Sequence, residues 1–410
     1  MLSESQKMAE IINLGLDISQ YKDMDLILER ILTLARQFVN AEAGSIYIKE
    51  GERLKFSYTQ NEVFQAKLEP GKKLIYSTFE IPINNNSIAG HSASADEMLN
   101  IPDVYEIGDD VTYSFNKEYD KLTNYRTKSV LTFPLKTSRG GIIGVLQLIN
   151  ARDKSGAVAA FPKEDEPFIK HFANNAAIAI ERAQMTRAMI LRVNKMAELR
   201  DPKETGAHVN RVASYAAEIY EVWAVKRGLT HDEIQKHRDV LRMGAMLHDV
   251  GKIAIADAIL KKPAKLDPAE YAVMKTHTYM GARLFTDRYS EFDEAAAAIA
   301  LDHHERWDGN GYPGHVDALT GKALLGYEDG KGGARGKKGE EIHPFGRVVA
   351  IADVYDALSS KRAYKDPWDE NEVLENLRSE AGKQFDPDMI EAFFACIDTI
   401  KSISKRYSEM

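Results

Sequence analysis

The sequence contains a single cysteine, Cys396, among 410 residues. One cysteine cannot form a disulfide within the chain, so we expect a reducing, cytoplasmic setting. The first residues also lack the basic start and apolar run of a secretory signal. The longest apolar runs, around 141–149 and 295–301, fall well below the roughly 18 residues that a membrane-spanning helix needs. We therefore expect no membrane association.

An excess of positive charge is missing as well. The chain has 62 acidic and 54 basic residues, which gives a formal net charge of -8. This balance argues against a surface for polymeric nucleic acid, but it leaves room for a local basic pocket that binds a small phosphorylated ligand. The hydrophobic content of 44% and the charged content of 28% are typical of a soluble globular protein. The length allows two domains, each with its own core.

The first half of the sequence combines helical and strand patterns. Apolar residues have helical spacing over about 8–40 and again from Lys163. Between these segments lie short strand-like runs, with turn residues at 50–52 and 138–140. These runs cover 43–48, 54–58, 129–135 and 141–149. The order of helix, antiparallel strands and helix predicts an α+β domain, which we place at residues 1–183.

These residues resemble a GAF domain, a small-molecule-sensing module that often precedes signalling enzymes. The resemblance covers roughly 20–183 and rests on the motifs at 87–91, 99–105, 133–135 with 144–148, and 161–166. It implies an antiparallel sheet flanked by helices and a ligand that the motifs do not identify. Some GAF domains that bind cyclic nucleotides carry an Asn-Lys pair, whereas here Ala151 follows Asn150. A GAF fold that serves dimerisation without a ligand is the alternative interpretation.

Residues 184–200 predict a connecting helix, because no Pro or Gly interrupts them. Met185, Met189, Val193 and Met196 recur at steps of four, four and three, close to a heptad spacing. The stripe covers too few heptads to establish a coiled coil. It is either ordinary core or the seam of a parallel homodimer whose helix carries a signal from the first domain to the second. We favour the homodimer.

Residues 201–410 predict an almost wholly helical domain that is rich in metal ligands. Glu204 and His208 have i, i+4 spacing and so share one face of a helix. His303 and His304 are adjacent, and an offset of about 100° around a helix would direct each to a different cation. The candidate ligands are Glu204, His208, His248, Asp249, His277, His303, His304 and Asp353. Eight ligands imply at least two metals, and mixed imidazole and carboxylate ligation suits iron, manganese, nickel or zinc.

The second half resembles the HD-GYP domain, a branch of the HD phosphohydrolases, over about 195–400. The resemblance is carried by the motifs at 248–252 (HDVGK), 303–313 (HHERWDGNGYP) and 353–358 (DVYDAL). It implies hydrolysis of the bacterial messenger cyclic di-GMP to linear pGpG, and in some members to GMP. Some members act on a related mixed-base cyclic dinucleotide. The resemblance also implies that the eight candidate ligands hold two or three divalent ions, most often iron, with manganese as the alternative.

The same resemblance assigns roles to residues around the metals. Asp249 is expected to bridge two ions at the catalytic centre, where a metal-bound hydroxide attacks phosphorus. Lys252 is expected to contact phosphate, and Arg362 and Lys365 match basic positions that bind the substrate's phosphates. The loop Gly311, Tyr312 and Pro313 is associated with regulation and with recognition of diguanylate cyclase domains.

One segment, residues 315–338, is an insertion relative to the family pattern. Its glycine-rich, basic part at 330–338 predicts a mobile loop. The insertion is either a lid that contacts an anionic substrate or a solvated loop without a role in the reaction. We favour the solvated loop.

The leading hypothesis is therefore a cyclic di-GMP phosphodiesterase gated by a GAF sensor. A catalytically silent module that binds the nucleotide or a cyclase partner is one alternative, and the complete ligand set argues against it. An HD phosphohydrolase for other nucleotides is another, and the Gly311-Tyr312-Pro313 loop argues against that.

Overall fold

The computed structural model describes residues 4–68, 79–199, 206–330, 332–360 and 367–407. The chain divides into two compact units, Met1–Thr186 and Arg187–Met410. The division falls inside the segment 184–200 that we predicted as a connecting helix. Among the described residues, no helix is both long enough and apolar enough to cross a membrane.

The first unit is built on one antiparallel sheet with the strand order β3-β2-β1-β6-β5-β4, and β7 pairs with β6. The strands are β1 (Ala41–Glu50), β2 (Arg53–Asn61), β3 (Glu80–Pro82), β4 (Leu99–Ile101), β5 (Val130–Lys136), β6 (Ile142–Arg152) and β7 (Val158–Ala159). The helices are α1 (Glu4–Gln20), α2 (Met24–Phe38), α3 (Glu62–Gln65), α4 (Ile88–Ala95), α5 (Glu118–Thr123) and the start of α6 (Glu166–Glu198). The predicted α+β class and the four predicted strands are confirmed.

The sheet is centred on β1 and β6, whose long pairing brings apolar side chains onto one face. That face packs against α2 and α6, which contribute Ile27, Ile31, Phe172 and Ile180 to the core. Gly144 in β6 lies so close to β1 that a Cβ atom there would overlap the carbonyl oxygen of Tyr47. Glycine is therefore required for this strand pairing.

The helical pattern at 8–40 is two helices rather than one continuous segment. α1 ends at Gln20, and α2 begins after Asp23. The Asp23 carboxylate accepts hydrogen bonds from the backbone N–H groups of Asp25 and Leu26. This N-cap starts a new helix at Met24, since an aspartate in an extended conformation satisfies first-turn donors that otherwise have no partner.

The second unit is helical. It contains the end of α6 and ten further helices among its described residues. These are α7 (Gly206–Lys226), α8 (His231–Ala245), α9 (Asp257–Leu260), α10 (Pro268–Lys275), α11 (His277–Arg283), α12 (Glu291–Asp302), α13 (Pro344–Ser359), α14 (Glu370–Ser379), α15 (Pro387–Ala395) and α16 (Ile397–Arg406). α7 packs against α8, α13, α15 and α16. Its side chains Tyr215, Ala216 and Ile219 are fully buried, so α7 forms the centre of the core.

The described part of the insertion makes specific contacts, and its predicted mobility stays a prediction. Its described part includes a bridge between Val316 and Ala323. The ring of His315 stacks on that of Tyr327 at a centroid distance of 4.0 Å, and Arg335 pairs with Glu341 at 2.9 Å. The side chains of its non-glycine residues therefore hold this part of the loop, through the ring stack and the ion pair.

Candidate metal centre

Seven of the eight predicted ligands lie among the described residues, and the structure brings them into two groups. Within each group the ligand atoms all lie within 4.8 Å of one another. The first group is Asp249, His277, His303 and His304, and the second is His208, His248 and Asp353. The eighth predicted ligand, Glu204, lies outside the described residues.

Five separate segments of the helical unit supply these side chains. His208 lies in α7 and Asp353 in α13, while His248 and Asp249 follow α8. The backbone of the neighbouring Gly251 lies against that of His277, and a Cβ at position 251 would overlap the His277 carbonyl oxygen. The glycine of the HDVGK motif therefore lets the turn after α8 approach the start of α11.

Three of the histidines point one ring nitrogen at a backbone carbonyl. His248 Nδ1 lies 2.8 Å from the carbonyl oxygen of Ala245, and His277 Nδ1 lies 2.8 Å from that of Met274. His303 Nδ1 lies 3.0 Å from the carbonyl oxygen of Ala300. A carbonyl oxygen only accepts, so each Nδ1 carries the proton and each neutral ring keeps its lone pair on Nε2.

These lone pairs converge on one another. His277 Nε2 lies 3.5 Å from His303 Nε2, and Asp249 Oδ1 lies 3.1 Å from His277 Nε2 and 3.5 Å from His303 Nε2. Asp249 Oδ1 is buried and accepts no hydrogen bond from the described residues. Acceptors that face acceptors repel unless a cation lies between them. The nitrogen and oxygen donor set therefore fits a divalent metal ion.

Burial and neighbouring charges keep these groups in the protonation states that bind metals. Burial opposes ionisation of Asp249, but Lys252 and His248 outweigh it and hold the pKa of the carboxyl well below its usual value. Burial lowers the pKa of His303. Burial, and then the neighbouring His303, place the pKa of His304 well below its usual value. These shifts favour an ionised Asp249 and neutral rings at His303 and His304.

The second group is connected to the first through His248. The His248 ring lies 5.6 Å from that of His208 and 5.3 Å from that of His303. His208 Nε2 lies 3.6 Å from Asp353 Oδ1. The two groups therefore form one continuous constellation.

His303 and His304 belong to the same group, and the prediction that each addresses a different cation stays a prediction. The helical offset does not apply because α12 ends at Asp302. The His304 ring stacks on Tyr312 at a centroid distance of 4.9 Å and an angle of 28°. Gly309 has a φ of 86°, and a Cβ on Gly311 would overlap the backbone of Arg306. These two glycines bring the predicted regulatory loop, and with it Tyr312, onto the ligand group.

The predicted phosphate-binding residues have different outcomes. Lys252 lies in the site, where its Nζ is 2.6 Å from Asp249 Oδ2. Arg362 and Lys365 lie outside the described residues.

Sequence reasoning missed residues that orient the ligands. The carboxylate of Asp356 lies 2.8 Å from His208 Nδ1, and Arg211 pairs with that carboxylate. Each follows a predicted ligand at i+3 on the same helix, since Arg211 follows His208 and Asp356 follows Asp353. Residues at that spacing lie on one face of a helix, and this was the available signal.

Comparison with known proteins gives two family models. The GAF domain model matches residues 23–180, and the HD domain model matches residues 205–358.

Curated proteins similar to the chain are phosphodiesterases by name. A 3′3′-cGAMP-specific phosphodiesterase 2 of Vibrio cholerae is 35% identical over 217 residues, which are 53% of this chain and 36% of that protein. A cyclic di-GMP phosphodiesterase of Thermotoga maritima is 36% identical over 214 residues, 52% of this chain and 50% of that protein. A cyclic di-GMP phosphodiesterase of Vibrio cholerae is 35% identical over 225 residues, 54% of this chain and 41% of that protein. The chain thus spans half or less of the length of these relatives.

Proposed function

We propose that this chain, a GAF domain followed by an HD domain of the HD-GYP type, hydrolyses cyclic di-GMP to linear pGpG, to GMP, or to both, under control of the GAF domain. The observation that carries the proposal is the convergence of lone pairs from Asp249, His277 and His303 in a buried site. The names of the relatives support cyclic dinucleotides as the substrate class.

The chemistry of a phosphodiester explains why such a site suits it. The substrate is anionic and resists attack, and divalent ions, when bound, supply an activated water near neutral pH and neutralise developing charge. Asp249 would serve as the catalytic carboxylate that bridges two ions. Lys252, whose Nζ reaches Asp249, would turn to the non-bridging oxygens of the substrate, where its ammonium group stabilises negative charge.

We assign the metal ions to the complete predicted set. Seven ligands lie in the two groups described above, and Glu204 is proposed as the eighth. This number of ligands suits two or three ions. The mix of imidazole and carboxylate suits iron, manganese, nickel or zinc, and the resemblance to the HD-GYP domain favours iron, with manganese as the alternative. Arg362 and Lys365 are proposed to bind the substrate's phosphates.

A second substrate has a specific observation in its favour. One relative is named as specific for 3′3′-cGAMP, a cyclic dinucleotide with two different bases. Hydrolysis of this mixed-base compound is therefore the alternative activity, and it would use the same residues.

We propose that the chain forms a homodimer through the GAF domain and the connecting helix α6. In the single chain, Met185, Met189 and Met196 on α6 are 55%, 55% and 59% exposed, so this stripe is not core within the chain. Exposed apolar residues in such a row suit a homodimer seam. Replacement of Met189 by Glu is expected to shift the protein toward monomer in sedimentation analysis, whereas replacement of the polar Lys195 by Glu is not.

We further propose a small molecule as the GAF ligand, a diguanylate cyclase domain as partner of the Gly311-Tyr312-Pro313 loop, and a cytoplasmic location. The location rests on the single cysteine, Cys396, because reduced thiols persist in that compartment.

The experiment is hydrolysis of cyclic di-GMP and 3′3′-cGAMP by protein purified without oxygen and supplied with Fe²⁺ or Mn²⁺. Products are separated by chromatography, and metal is counted on the same sample. We expect pGpG or GMP from cyclic di-GMP. Preferred turnover of 3′3′-cGAMP would establish the alternative, and a fully metallated protein that cleaves neither compound with or without candidate GAF ligands would refute the proposal.

A further inference from the structure

In four histidines of the centre, Nδ1 faces a hydrogen-bond acceptor. The acceptor is not the same kind of group in all four. His248, His277 and His303 direct Nδ1 at backbone carbonyls. His208 directs Nδ1 at the Asp356 carboxylate instead, at 2.8 Å. A carboxylate holds a ring N–H more strongly than a neutral carbonyl does, since the hydrogen bond is charge-assisted.

The Asp356 carboxylate is itself held in place on two sides. Arg211 Nε lies 2.6 Å from Oδ1, and Arg211 Nη2 lies 2.9 Å from Oδ2. Asp356 is 1% exposed, and His208 and Arg211 are 3% and 4% exposed. The three side chains thus form a closed, buried charge network next to the ligand group.

This network fixes which nitrogen of His208 is available. Because the proton of the neutral ring lies on Nδ1, the lone pair lies on Nε2, the atom that is 3.6 Å from Asp353 Oδ1. A carboxylate behind an imidazole also raises the basicity of the ligating nitrogen.

We propose that Asp356, held by Arg211, is a positioning residue that sets the affinity of the His208, His248 and Asp353 group for its metal ion. In the other group, the rings of His277 and His303 are oriented by backbone carbonyls and not by a carboxylate among the described residues. The two groups therefore differ in how they depend on side chains beyond the ligands. The inference rests on the proposed function only in that both place divalent ions at these residues.

The network also extends to the end of the chain's last described helix. Arg211 Nη1 donates to the carbonyl oxygen of Tyr407 at 3.0 Å, directly after α16. The geometry thus links the end of α16 to the second ligand group through two side chains, Arg211 and Asp356.

The test is Asp356→Asn, which keeps the shape of the side chain and removes its charge. Full-length wild-type and variant proteins are loaded with Mn²⁺ and dialysed, and metal is counted by mass spectrometry and titrated by calorimetry. We expect one ion fewer per chain after dialysis and a loss of about 10–100-fold in affinity at one site, with the other site unchanged.

A matched control is another buried ion pair, which joins α13 to the residue before α15. Arg347 on α13 pairs with Asp386 at 2.7 Å, and both are similarly buried, but neither is near the ligands in sequence or by direct contact. Asp386→Asn removes the charge from a comparable ion pair. It should lower stability while leaving the metal count at the wild-type value.

A milder change covers the case in which Asp356→Asn does not fold. Arg211→Lys keeps the positive charge and loses the two-pronged contact, so it should weaken the same metal site by a smaller factor. Unchanged metal count and affinity in a folded Asp356→Asn or Arg211→Lys protein would overturn the proposal. Equal metal loss in Asp386→Asn would overturn it too, because the loss would then follow from general destabilisation.

The readout separates this inference from the proposed function. Selective metal loss in the Asp356 variant, in a protein whose wild type cleaves no cyclic dinucleotide, would support the positioning role and refute the activity. Hydrolysis by the wild type, together with unchanged metal binding in the Asp356 variant, would support the activity and refute the positioning role.

Discussion

Two buried carboxylates, Glu42 in the GAF domain and Asp249 in the HD domain, have opposite surroundings. In the GAF domain, the Glu42 carboxylate accepts hydrogen bonds from Tyr125 at 2.9 Å, from Asn150 at 3.0 Å and from Arg152 at 2.9 Å. In the HD domain, Asp249 Oδ1 faces imidazole nitrogens that carry lone pairs. Donors meet acceptors in the first case, and acceptors meet acceptors in the second.

This difference separates a structural network from a binding site. Burying a polar group costs free energy unless a partner compensates it. Around Glu42 the chain supplies every partner from its own side chains, so nothing further is needed. Around Asp249 Oδ1 the described residues supply only acceptors, since Lys252 pairs with the other oxygen, Oδ2, so compensation at Oδ1 must come from a bound cation. The same residue types thus have different meanings, and the direction of their hydrogen bonds decides between them.

The largest expected effect is the loss of turnover in Asp249→Ala. Removing the carboxylate that is central to both lone-pair contacts should lower kcat by about 10⁴–10⁶-fold, the range found when one member of a catalytic unit is removed. Initial rates on cyclic di-GMP measure this. Asp317→Ala is the control, because among the described residues that carboxylate accepts hydrogen bonds within its own turn, from Thr320. An Asp249→Ala protein with normal metal content and rate would contradict the bridging role.

Metal binding should stabilise only one of the two domains. A ligand that binds the folded state at 100 times its Kd contributes about 2.7 kcal/mol, so saturating Mn²⁺ should raise the unfolding temperature of the HD domain and not that of the GAF domain. Differential scanning calorimetry of the full chain resolves this, with His277→Ala as the variant in which the shift shrinks. If Mn²⁺ raised the unfolding temperature of the GAF domain alone, the assignment of the metal site to the HD domain would be wrong.

Breaking the GAF network should cost stability without affecting metal. Glu42→Gln removes the charge to which Arg152 is paired and leaves buried donors partly unsatisfied, at a cost of about 1–3 kcal/mol. Urea unfolding at pH 7 measures the change. The control is Glu80→Gln, since the Arg53–Glu80 pair is exposed and such pairs contribute about 0–1 kcal/mol.

The same variant has a pH signature. Burial raises the pKa of Glu42, but hydrogen bonds from Asn150, Arg152 and Tyr125 outweigh it, and the net pKa is below the usual 4.5. A carboxyl with a lowered folded-state pKa contributes stability above the unfolded value and loses it as the pH falls. The stability difference between wild type and Glu42→Gln should therefore be full at pH 7 and shrink below pH 4.5. A difference that grows on acidification would be inconsistent with this account.

The smallest expected effect concerns the insertion. Arg335→Ala removes the partner of Glu341 and the cation above the Tyr327 ring. Both groups are largely exposed, so global stability should change little, while amide hydrogen exchange in the loop should rise. Lys322→Ala on the same loop is the control. Unchanged exchange in the Arg335 variant would mean that the glycine-rich composition, rather than these contacts, governs the loop.

Much of the architecture could be predicted from sequence. The recognition of a GAF domain followed by an HD-GYP domain is confirmed, because motifs such as HDVGK and HHERWDGNGYP are long and local in sequence. The break between α1 and α2 was missed because a single N-cap, Asp23, outweighs a continuous apolar pattern.

The site was predictable as a set of residues and not as an arrangement. Sequence gave no reason for His303 and His304 to share one group, because that depends on α12 ending at Asp302. The orientation of His208 by Asp356 depends on how α7 packs against α13. Long-range packing of this kind leaves only a weak i, i+3 signal in the sequence.

The most direct test of the central claim is anomalous diffraction from crystals of the Mn²⁺-loaded protein, recorded on either side of the manganese absorption edge. The account predicts an anomalous peak within coordination distance of Asp249 Oδ1, His277 Nε2 and His303 Nε2, and a second peak beside His208 and Asp353. The absence of anomalous density at Asp249 in a fully loaded protein would contradict the account. Protons or water, rather than a metal ion, would then have to lie between the converging acceptors.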